Sequence, residues 1–295
     1  MTIQLEKTRS IARVVNSIQQ LEGGGFMVRR PFPTNSLMQF DPFLLLDELG
    51  PINWKPGEAI GAPDHPHRGF ETVSYILAGD MQHKDSQGNA GELGPGDVQW
   101  MTAGAGVVHS EMPSAEFKRT GGLSHGFQIW VNLPKRDKMM PPRYQDIQAT
   151  QIPTAQTADG KVTVRVVAGE ALGAKAVIDT RIPIMFLHYI LEPGAQISQP
   201  VATDFNIFAY VFNGAGQFGS QAASSGQMVI FAPDGDEVSF AVPTDATEPL
   251  EILLLGGVPI KEPVARYGPF VMNTEAEIYQ AIEDYQSGKM GAIKF

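Results

Sequence analysis

The amino-acid sequence predicts a mainly β protein built as barrels or sandwiches, and two observations carry this prediction. The 295 residues include 31 Gly and 22 Pro, a content that favours many short strands joined by turns over a bundle of long helices. Apolar and β-branched runs follow one another at short intervals, separated by turn signals such as the Gly-Pro-Gly-Asp segment at 94–97. Short strands with no helical period between them are typical of a barrel or a sandwich.

The first half of the chain holds most of the predicted strands. They cover residues 26–30, 41–49, 65–71, 72–77, 98–101, 107–111 and 126–131. The block at 41–49 is apolar enough to be a buried strand, and Asp47 and Glu48 at its end could face a cavity.

The domain organisation follows from a proline-rich segment and a weak repeat. Residues 134–144 combine proline with charges, which predicts a linker between domains at 1–133 and 145–295. The segment SYILAG at 74–79 resembles AYVFNG at 209–214, and such a repeat indicates duplicated domains.

The end of the chain departs from the β pattern. Asn273 or Thr274 is a suitable N-cap for a helix with acids in its first turn, and Gly288 is expected to end it. Its predicted apolar face, which is expected to pack against the protein, consists of Ile278, Ala281, Ile282 and Tyr285.

Charge and composition exclude several classes of function. The net charge is −10 and no basic run could follow a phosphate backbone, so direct nucleic-acid binding is disfavoured. The chain has no cysteine, which leaves histidine and carboxylate as metal ligands. No segment is apolar for long enough to suggest a membrane span or a signal core, so a cytoplasmic protein without membrane contact is expected.

Two short motifs predict a metal site. His65 and His67 are one residue apart, and alternate side chains of a strand point to the same face. The pair His109 and Glu111 follows about forty residues later with the same spacing, beyond the Pro-Gly-Asp turn. Glu71 is the alternative acid, although it lies roughly 13 Å along an extended strand from His67 and reaches the same ion only if the strand bends.

The second predicted domain carries no such motif. Aligning the repeated segments places Pro200 and Ala202 where the first domain has His65 and His67. The second domain contains the single histidine His188, expected in the core or at its rim, so the metal site is assigned to the first domain.

Other candidate residues have two interpretations. His83 and His125 are expected in hairpins or at the surface. Phe43, Phe70 and Trp130 could line a planar pocket, but an ordinary core position is the favoured interpretation of each.

Several motifs resemble the pirin family of the cupin superfamily. They are DPFLLLDE at 41–48, HPHRGFETVSY at 65–75, GDVQWMTAG at 96–104, HSEMP at 109–113 and GPFVMNT at 268–274. The resemblance implies two cupin (jelly-roll) β-barrels face to face, with one metal ion in the N-terminal barrel. It also implies that His65, His67, His109 and Glu111 are the ligands, which decides against Glu71.

The resemblance further implies a function. Family members are described as iron proteins, so Fe(II) is the expected metal, with Mn, Ni or Cu as alternatives. The leading hypothesis is a dioxygenase that uses O₂ to open flavonols such as quercetin, with Glu111 as a catalytic base. The alternative is a metal- or redox-sensing regulator that binds a protein partner with little or no catalysis. A third possibility is a metal that only stabilises the barrel.

Overall fold

The computed structural model describes residues 7–22 and 24–294. The described chain is mainly β, as predicted, with two α-helices, α1 (Ala115–Thr120) and α2 (Glu275–Gln286), and short 3₁₀ turns at Lys135–Asp137 and Ala149–Gln151. The strands are, in chain order, β1 (Ile11–Asn16), β2 (Ile18–Glu22), β3 (Phe26–Phe32), β4 (Phe43–Trp54), β5 (Ala62–His67), β6 (Phe70–Ala78), β7 (Met81–Asp85), β8 (Ala90–Leu93), β9 (Val98–Thr102), β10 (Val107–Met112), β11 (Gly122–Asn132), β12 (Arg143–Ile147), β13 (Thr154–Gln156), β14 (Val162–Ala168), β15 (Glu170–Ala171), β16 (Ala174–Lys175), β17 (Ile184–Leu191), β18 (Gln196–Pro200), β19 (Asn206–Asn213), β20 (Ala215–Phe218), β21 (Gln221–Ser224), β22 (Gln227–Phe231), β23 (Glu237–Ala241), β24 (Leu250–Gly257), β25 (Ala265–Tyr267) and β26 (Phe270–Met272).

The chain forms two compact units whose sequences interleave. Within the described residues, the first unit combines 19–149 with those from Ile260 onward, and the second combines those up to Ile18 with Thr150–Pro259. These units differ at both termini from the contiguous domains predicted at 1–133 and 145–295. The predicted linker at 134–144 falls inside the first unit, where β12 pairs with β9.

Contacts of the two terminal segments explain this difference. In the second unit β1 pairs antiparallel with β22, and the buried Arg9 donates hydrogen bonds to the carbonyls of Gly235, Phe205 and Ala202. In the first unit Arg68 donates to Asp284 of α2 at 2.9 Å. Both sets of contacts join residues about 200 positions apart, so no local sequence pattern predicts them.

Each unit contains a seven-stranded and a four-stranded sheet, with a further two-stranded sheet, β25-β26 in the first unit and β15-β16 in the second. The first unit has the orders β12-β9-β6-β11-β4-β3-β2 and β5-β10-β7-β8, and the second has β1-β22-β19-β24-β17-β14-β13 and β18-β23-β20-β21. In the second unit Tyr189 of β17 contacts Phe240 of β23, with ring centroids 5.1 Å apart, so side chains of both sheets form one core. This double-sheet arrangement confirms the predicted jelly-roll class.

The C-terminal helix forms as predicted. Thr274 is the N-cap: its side chain accepts from the Glu277 amide, and the Glu277 carboxylate accepts from the Thr274 amide, which completes a capping box. Ile278 and Ala281 are buried on the helix face that packs against β26, and Ile282 is partly buried there, whereas Tyr285 is 40% exposed. Gly288 follows the helix with φ 78°.

Across residues 7–22 and 24–294, neither helix has the length and apolarity required to cross a bilayer. The cytoplasmic location stays a prediction.

Candidate metal centre

Two neighbouring strands of the four-stranded sheet bring the three motif histidines together. His65 and His67 lie on the same face of β5, and His109 of β10 stands directly opposite His65 in the antiparallel ladder. One ring nitrogen from each histidine lies within 4.8 Å of the corresponding atoms of the other two. The three imidazoles therefore converge on one point, as a metal site requires.

The local chain direction at β5 depends on a tight turn. Gly69, between β5 and β6, has φ +88°, and a Cβ there would lie 2.0 Å from the Val271 carbonyl oxygen. The preceding Arg68 is buried and donates through Nε to the Ala105 carbonyl at 2.7 Å. These contacts fix the strand end that carries His67.

The histidine cluster is in the form that binds metal. His65 Nδ1 lies 2.7 Å from the Pro63 carbonyl oxygen, so this nitrogen is the donor and Nε2 is left with its lone pair. Burial, together with the neighbouring histidines, holds the pKa of His67 and of His109 well below the ordinary value. Neutral imidazole is the metal-binding species.

Unsatisfied polar atoms support the same conclusion. His109 is fully buried, and within the described chain neither of its ring nitrogens has a hydrogen-bond partner. His65 Nε2 and His67 Nε2 are 3.0 Å apart, close enough to be ligands of one ion. Buried polar atoms without partners are costly, and a cation bound among the three imidazoles would occupy one nitrogen of each.

The two candidate acids are in different surroundings. Glu111 Oε2 lies 3.9 Å from His109 Nε2, and Glu111 Oε1 accepts from Ser74 Oγ at 2.9 Å. Glu71 is fully buried on β6 and accepts from Thr102 Oγ1 at 2.6 Å. The structure thus brings Glu111 to the histidines, and the role of Glu111 as the fourth ligand stays a prediction.

Comparisons with known proteins agree with this arrangement. The Pirin family model matches residues 25–131 and the Pirin C-terminal cupin domain model matches 186–291. A pirin-like protein of Solanum lycopersicum is 43% identical over 99% of this chain and 96% of its own length. Human pirin is 42% identical over 96% of this chain and 94% of its own length.

The chain belongs to the pirin family. A crystal structure of quercetin 2,3-dioxygenase from Acinetobacter baumannii has a TM-score of 0.91 to this chain and 38% identity, and covers 98% of this chain and 100% of the other. Two cupin domains, as the motifs implied, are therefore shown for this pirin-family chain. The cluster of His65, His67 and His109 suits one metal ion, whose identity is open.

The histidine cluster opens on a cavity of about 630 Å³ in the first unit. This size is ordinary for a small-molecule site. Its wall includes His65, His67, Ser74, Glu111 and Gln128, and its apolar part is formed by Phe26, Met27, Leu45, Leu49, Ile52, Trp54, Ile60, Ile76, Phe117 and Trp130. The cavity can accept a mostly apolar molecule that presents an oxygen to the metal position.

Aromatic residues near the cluster divide between wall and core. Trp130 lines the cavity and contacts His67, with ring centroids 5.3 Å apart. Phe70 is fully buried, and its ring centroid lies 4.3 Å from that of Trp130 and 5.1 Å from that of His67. Phe43 is also fully buried. Trp130 thus has the expected pocket position, whereas Phe43 and Phe70 are core residues.

His83 lies in the hairpin of β7 and β8, one of its two predicted positions, and not at the surface. This residue is buried rather than exposed in its hairpin, because its ring stacks on Tyr144 at 5.2 Å and the backbone of Gly91 leaves it space. His83 Nε2 lies 3.4 Å from Asp146 Oδ2. His125 is half-buried in the cavity wall and lies 2.9 Å from Glu48. Alternation along β7 is the sequence signal that could have placed His83 inside.

The cavity wall also contains charged side chains, of which the sequence predicted Asp47 but not Arg30 or Arg266. Asp47 does face the cavity, as expected for the end of its strand, and it pairs with Arg30 of β3. Burial raises the pKa of Asp47 to about 6, although Arg30 opposes this change. Arg266 of β25 also lines the cavity, and no sequence motif indicated it.

Proposed function

We propose that this chain is a metal-dependent dioxygenase that opens flavonols such as quercetin. The observation that carries the proposal is the cavity of about 630 Å³, mainly apolar, whose wall contains His65, His67 and Glu111. A flavonol is planar and largely apolar, and it carries a hydroxyl and a carbonyl oxygen side by side. The 38% identity over the whole quercetin 2,3-dioxygenase chain supports the same assignment.

The proposed ligands are the three histidines and Glu111, and Fe(II) is the proposed metal, with Mn, Ni or Cu as alternatives. Three neutral imidazoles and one carboxylate form a mixed nitrogen and oxygen set that suits these ions. A bound metal would supply Lewis acidity toward the flavonol hydroxyl and redox chemistry toward O₂.

Glu111 takes the second role of proton acceptor. Its carboxylate lies in the cavity wall and is only partly exposed, so it can reach a substrate hydroxyl. Ser74 holds Oε1 at 2.9 Å, so Oε2, the proposed ligating oxygen, would receive the proton when it swings away from the metal. Ser74 Oγ also lies 2.7 Å from the Gln128 side-chain oxygen. A flipped Gln128 amide would donate to Ser74 and leave the serine proton for Glu111.

The overall reaction balances with O₂ as the only co-substrate. Two carbon–carbon bonds of the central ring break, both oxygen atoms of O₂ enter the ester product, and one ring carbon leaves as carbon monoxide. The proton held by Glu111 returns to the product. Trp130 and the other apolar wall residues would hold the flavonol rings and exclude water.

The test is O₂ uptake and carbon monoxide release with quercetin, measured on protein loaded in turn with Fe(II), Mn, Ni and Cu. We expect turnover with at least one metal, and a loss of at least about 100-fold in Glu111→Gln, which cannot accept the proton as a carboxylate does. Glu116→Gln, an exposed carboxylate paired with Arg119 on α1, is the matched control and should behave as wild type.

Two outcomes contradict the proposal. Wild-type protein that consumes no O₂ with quercetin under any of the four metals has no such activity. Full turnover by metal-loaded Glu111→Gln removes Glu111 from the chemistry. A role as a regulator that binds a protein partner stays a prediction from the family resemblance.

A further inference from the structure

The cavity has a second polar group besides the metal centre. It consists of Arg30, Asp47, Glu22 and Arg266, from β3, β4, β2 and β25, and all four line the cavity. The proposed binding of a neutral flavonol engages the histidines, Glu111 and the apolar wall, and none of these four charged side chains. The purpose of four charged side chains in a mainly apolar cavity is therefore unexplained by that assignment.

Both acids of this group, Asp47 and Glu22, pair with Arg30. Arg30 Nε donates to Asp47 Oδ1 at 2.5 Å, and Arg30 Nη2 donates to the other Asp47 oxygen. Arg30 Nη1 lies 2.7 Å from Glu22 Oε1. Arg30 thus binds both carboxylates through all three of its nitrogens.

Unlike Arg30, Arg266 has guanidinium N–H groups that are not used in ion pairs. Its Nη1 donates to the Leu44 carbonyl at 3.2 Å, and no carboxylate of the described chain lies within ion-pair distance of it. A guanidinium has five N–H donors in a planar fork and stays charged in proteins. Arg266 is exposed at the cavity wall, so the remaining donors can meet a ligand.

Trp130 connects Arg266 to the metal centre. The Arg266 guanidinium carbon lies 4.7 Å from the Trp130 ring centroid, in a cation–π contact. The same indole ring contacts His67. A planar molecule that approaches the histidines along Trp130 therefore extends toward a guanidinium that is held in place and only partly satisfied.

We propose that Arg266 is a specificity-determining residue which binds an acidic group, such as a carboxylate, on an aromatic hydroxy-ketone substrate. The guanidinium fork matches a carboxylate at two points, and such charge-assisted pairs are stronger than neutral hydrogen bonds. This inference rests on the proposed function, because it assigns a substrate class to the same cavity. Neutral flavonols such as quercetin would then be weaker ligands than acidic ones.

The experiment compares two probes that share one ring system, one with a charged carboxylate and one with its neutral methyl ester. They are 3-hydroxyflavone-4′-carboxylate and its methyl ester, and their dissociation constants are measured without oxygen on metal-loaded protein by quenching of tryptophan fluorescence. We expect the wild type to bind the carboxylate about 10- to 100-fold more tightly than the ester at low salt. The preference should decrease with ionic strength, because Arg266 is exposed.

Three variants test which residue supplies the preference. Arg266→Gln should bind both probes equally, while Arg136→Gln, an exposed arginine outside the cavity, should keep the wild-type ratio. Arg266→Lys keeps the charge but not the fork, and should retain only part of the ratio. Melting curves and metal content show whether each variant is folded and loaded.

The outcomes separate this inference from the proposed function. A wild type without preference, or an Arg266→Gln variant that keeps the preference, overturns the assignment of Arg266. An Arg266→Lys variant equal to wild type overturns the two-point contact. Binding needs no turnover, so failure of the dioxygenase proposal appears only in the separate O₂ measurement.

Discussion

Two buried hydroxyls offer a direct test of which acid serves the metal centre. Ser74 of β6 donates to Glu111 at 2.9 Å, and Thr102 of β9 donates to Glu71 at 2.6 Å. Both hydroxyls belong to the seven-stranded sheet of the first unit, and both residues are buried. Ser74→Ala and Thr102→Val therefore remove one equivalent hydrogen bond from each candidate carboxylate.

The expected effects on metal affinity differ. Loss of a hydrogen bond that orients a ligating group typically weakens metal binding about 10- to 100-fold, or about 1.4–2.7 kcal/mol. We expect this loss for Ser74→Ala, since Glu111 Oε2 is the carboxylate oxygen 3.9 Å from His109. Thr102→Val should leave metal affinity within about threefold of wild type, because Glu71 is not among the proposed ligands.

The loss also has a consequence for stability. At a free metal concentration of 100 times the wild-type dissociation constant, binding stabilises the folded protein by about 2.7 kcal/mol. A tenfold weaker site under the same condition leaves about 1.4 kcal/mol, and a hundredfold weaker site leaves about 0.4 kcal/mol. Without metal, each variant should lose about 1–3 kcal/mol for the unsatisfied carboxylate.

The assay is an anaerobic competition titration of Fe(II) against a chelator of known affinity, with melting curves of metal-free and loaded protein. Equal losses of affinity in both variants would show that the barrel responds to packing alone. A larger loss in Thr102→Val than in Ser74→Ala would assign the metal to Glu71 and refute the reasoning.

Three further predictions concern stability. Burial raises the pKa of Asp47 from 3.8 to about 6, so the folded state binds a proton more tightly than the unfolded state. The contribution of Asp47 to the free energy of unfolding is therefore full below about pH 4 and is lost as pH rises through about 6. Asp47→Asn should flatten this part of the pH profile in urea titrations. Gly91→Ala places a Cβ 2.2 Å from His83 Nε2 and should lower the free energy of unfolding by about 1–3 kcal/mol. The control is Gly94→Ala, whose Cβ meets nothing nearer than 3.7 Å and should lower it less. Chemical denaturation measures both. Thr274→Ala removes the side-chain cap of α2 and should cost about 1 kcal/mol, so an unchanged melting temperature would contradict the assigned cap.

Local periodicity accounts for what the sequence predicted well. The alternation of a strand fixes His65 and His67 on one face, whatever the rest of the fold, because successive side chains point to opposite sides. The N-cap of α2 is equally local, since Thr274 and Glu277 satisfy each other within one turn. The mainly β class follows from the density of turn signals and short apolar runs.

Sequence and structure differ where the outcome depends on distant chain segments. His83 is buried because Tyr144, about sixty residues later, stacks on its ring. The unit boundaries at both ends depend on Arg9 and Arg68, whose partners lie about 200 residues away. Hydrogen bonds between residues so far apart cannot be predicted from the composition of either segment.

The sequence by itself therefore determined the β class, the capped C-terminal helix and the direction of two histidine side chains. Only the tertiary structure decided that β10 pairs with β5, which sets His109 opposite His65 and carries Glu111 to the cluster. It also placed Arg266 over Trp130 at the same cavity. The physical reason is that side-chain direction is set by the backbone of one residue and its neighbours, whereas strand register is set by burial and hydrogen bonding between segments far apart in the chain.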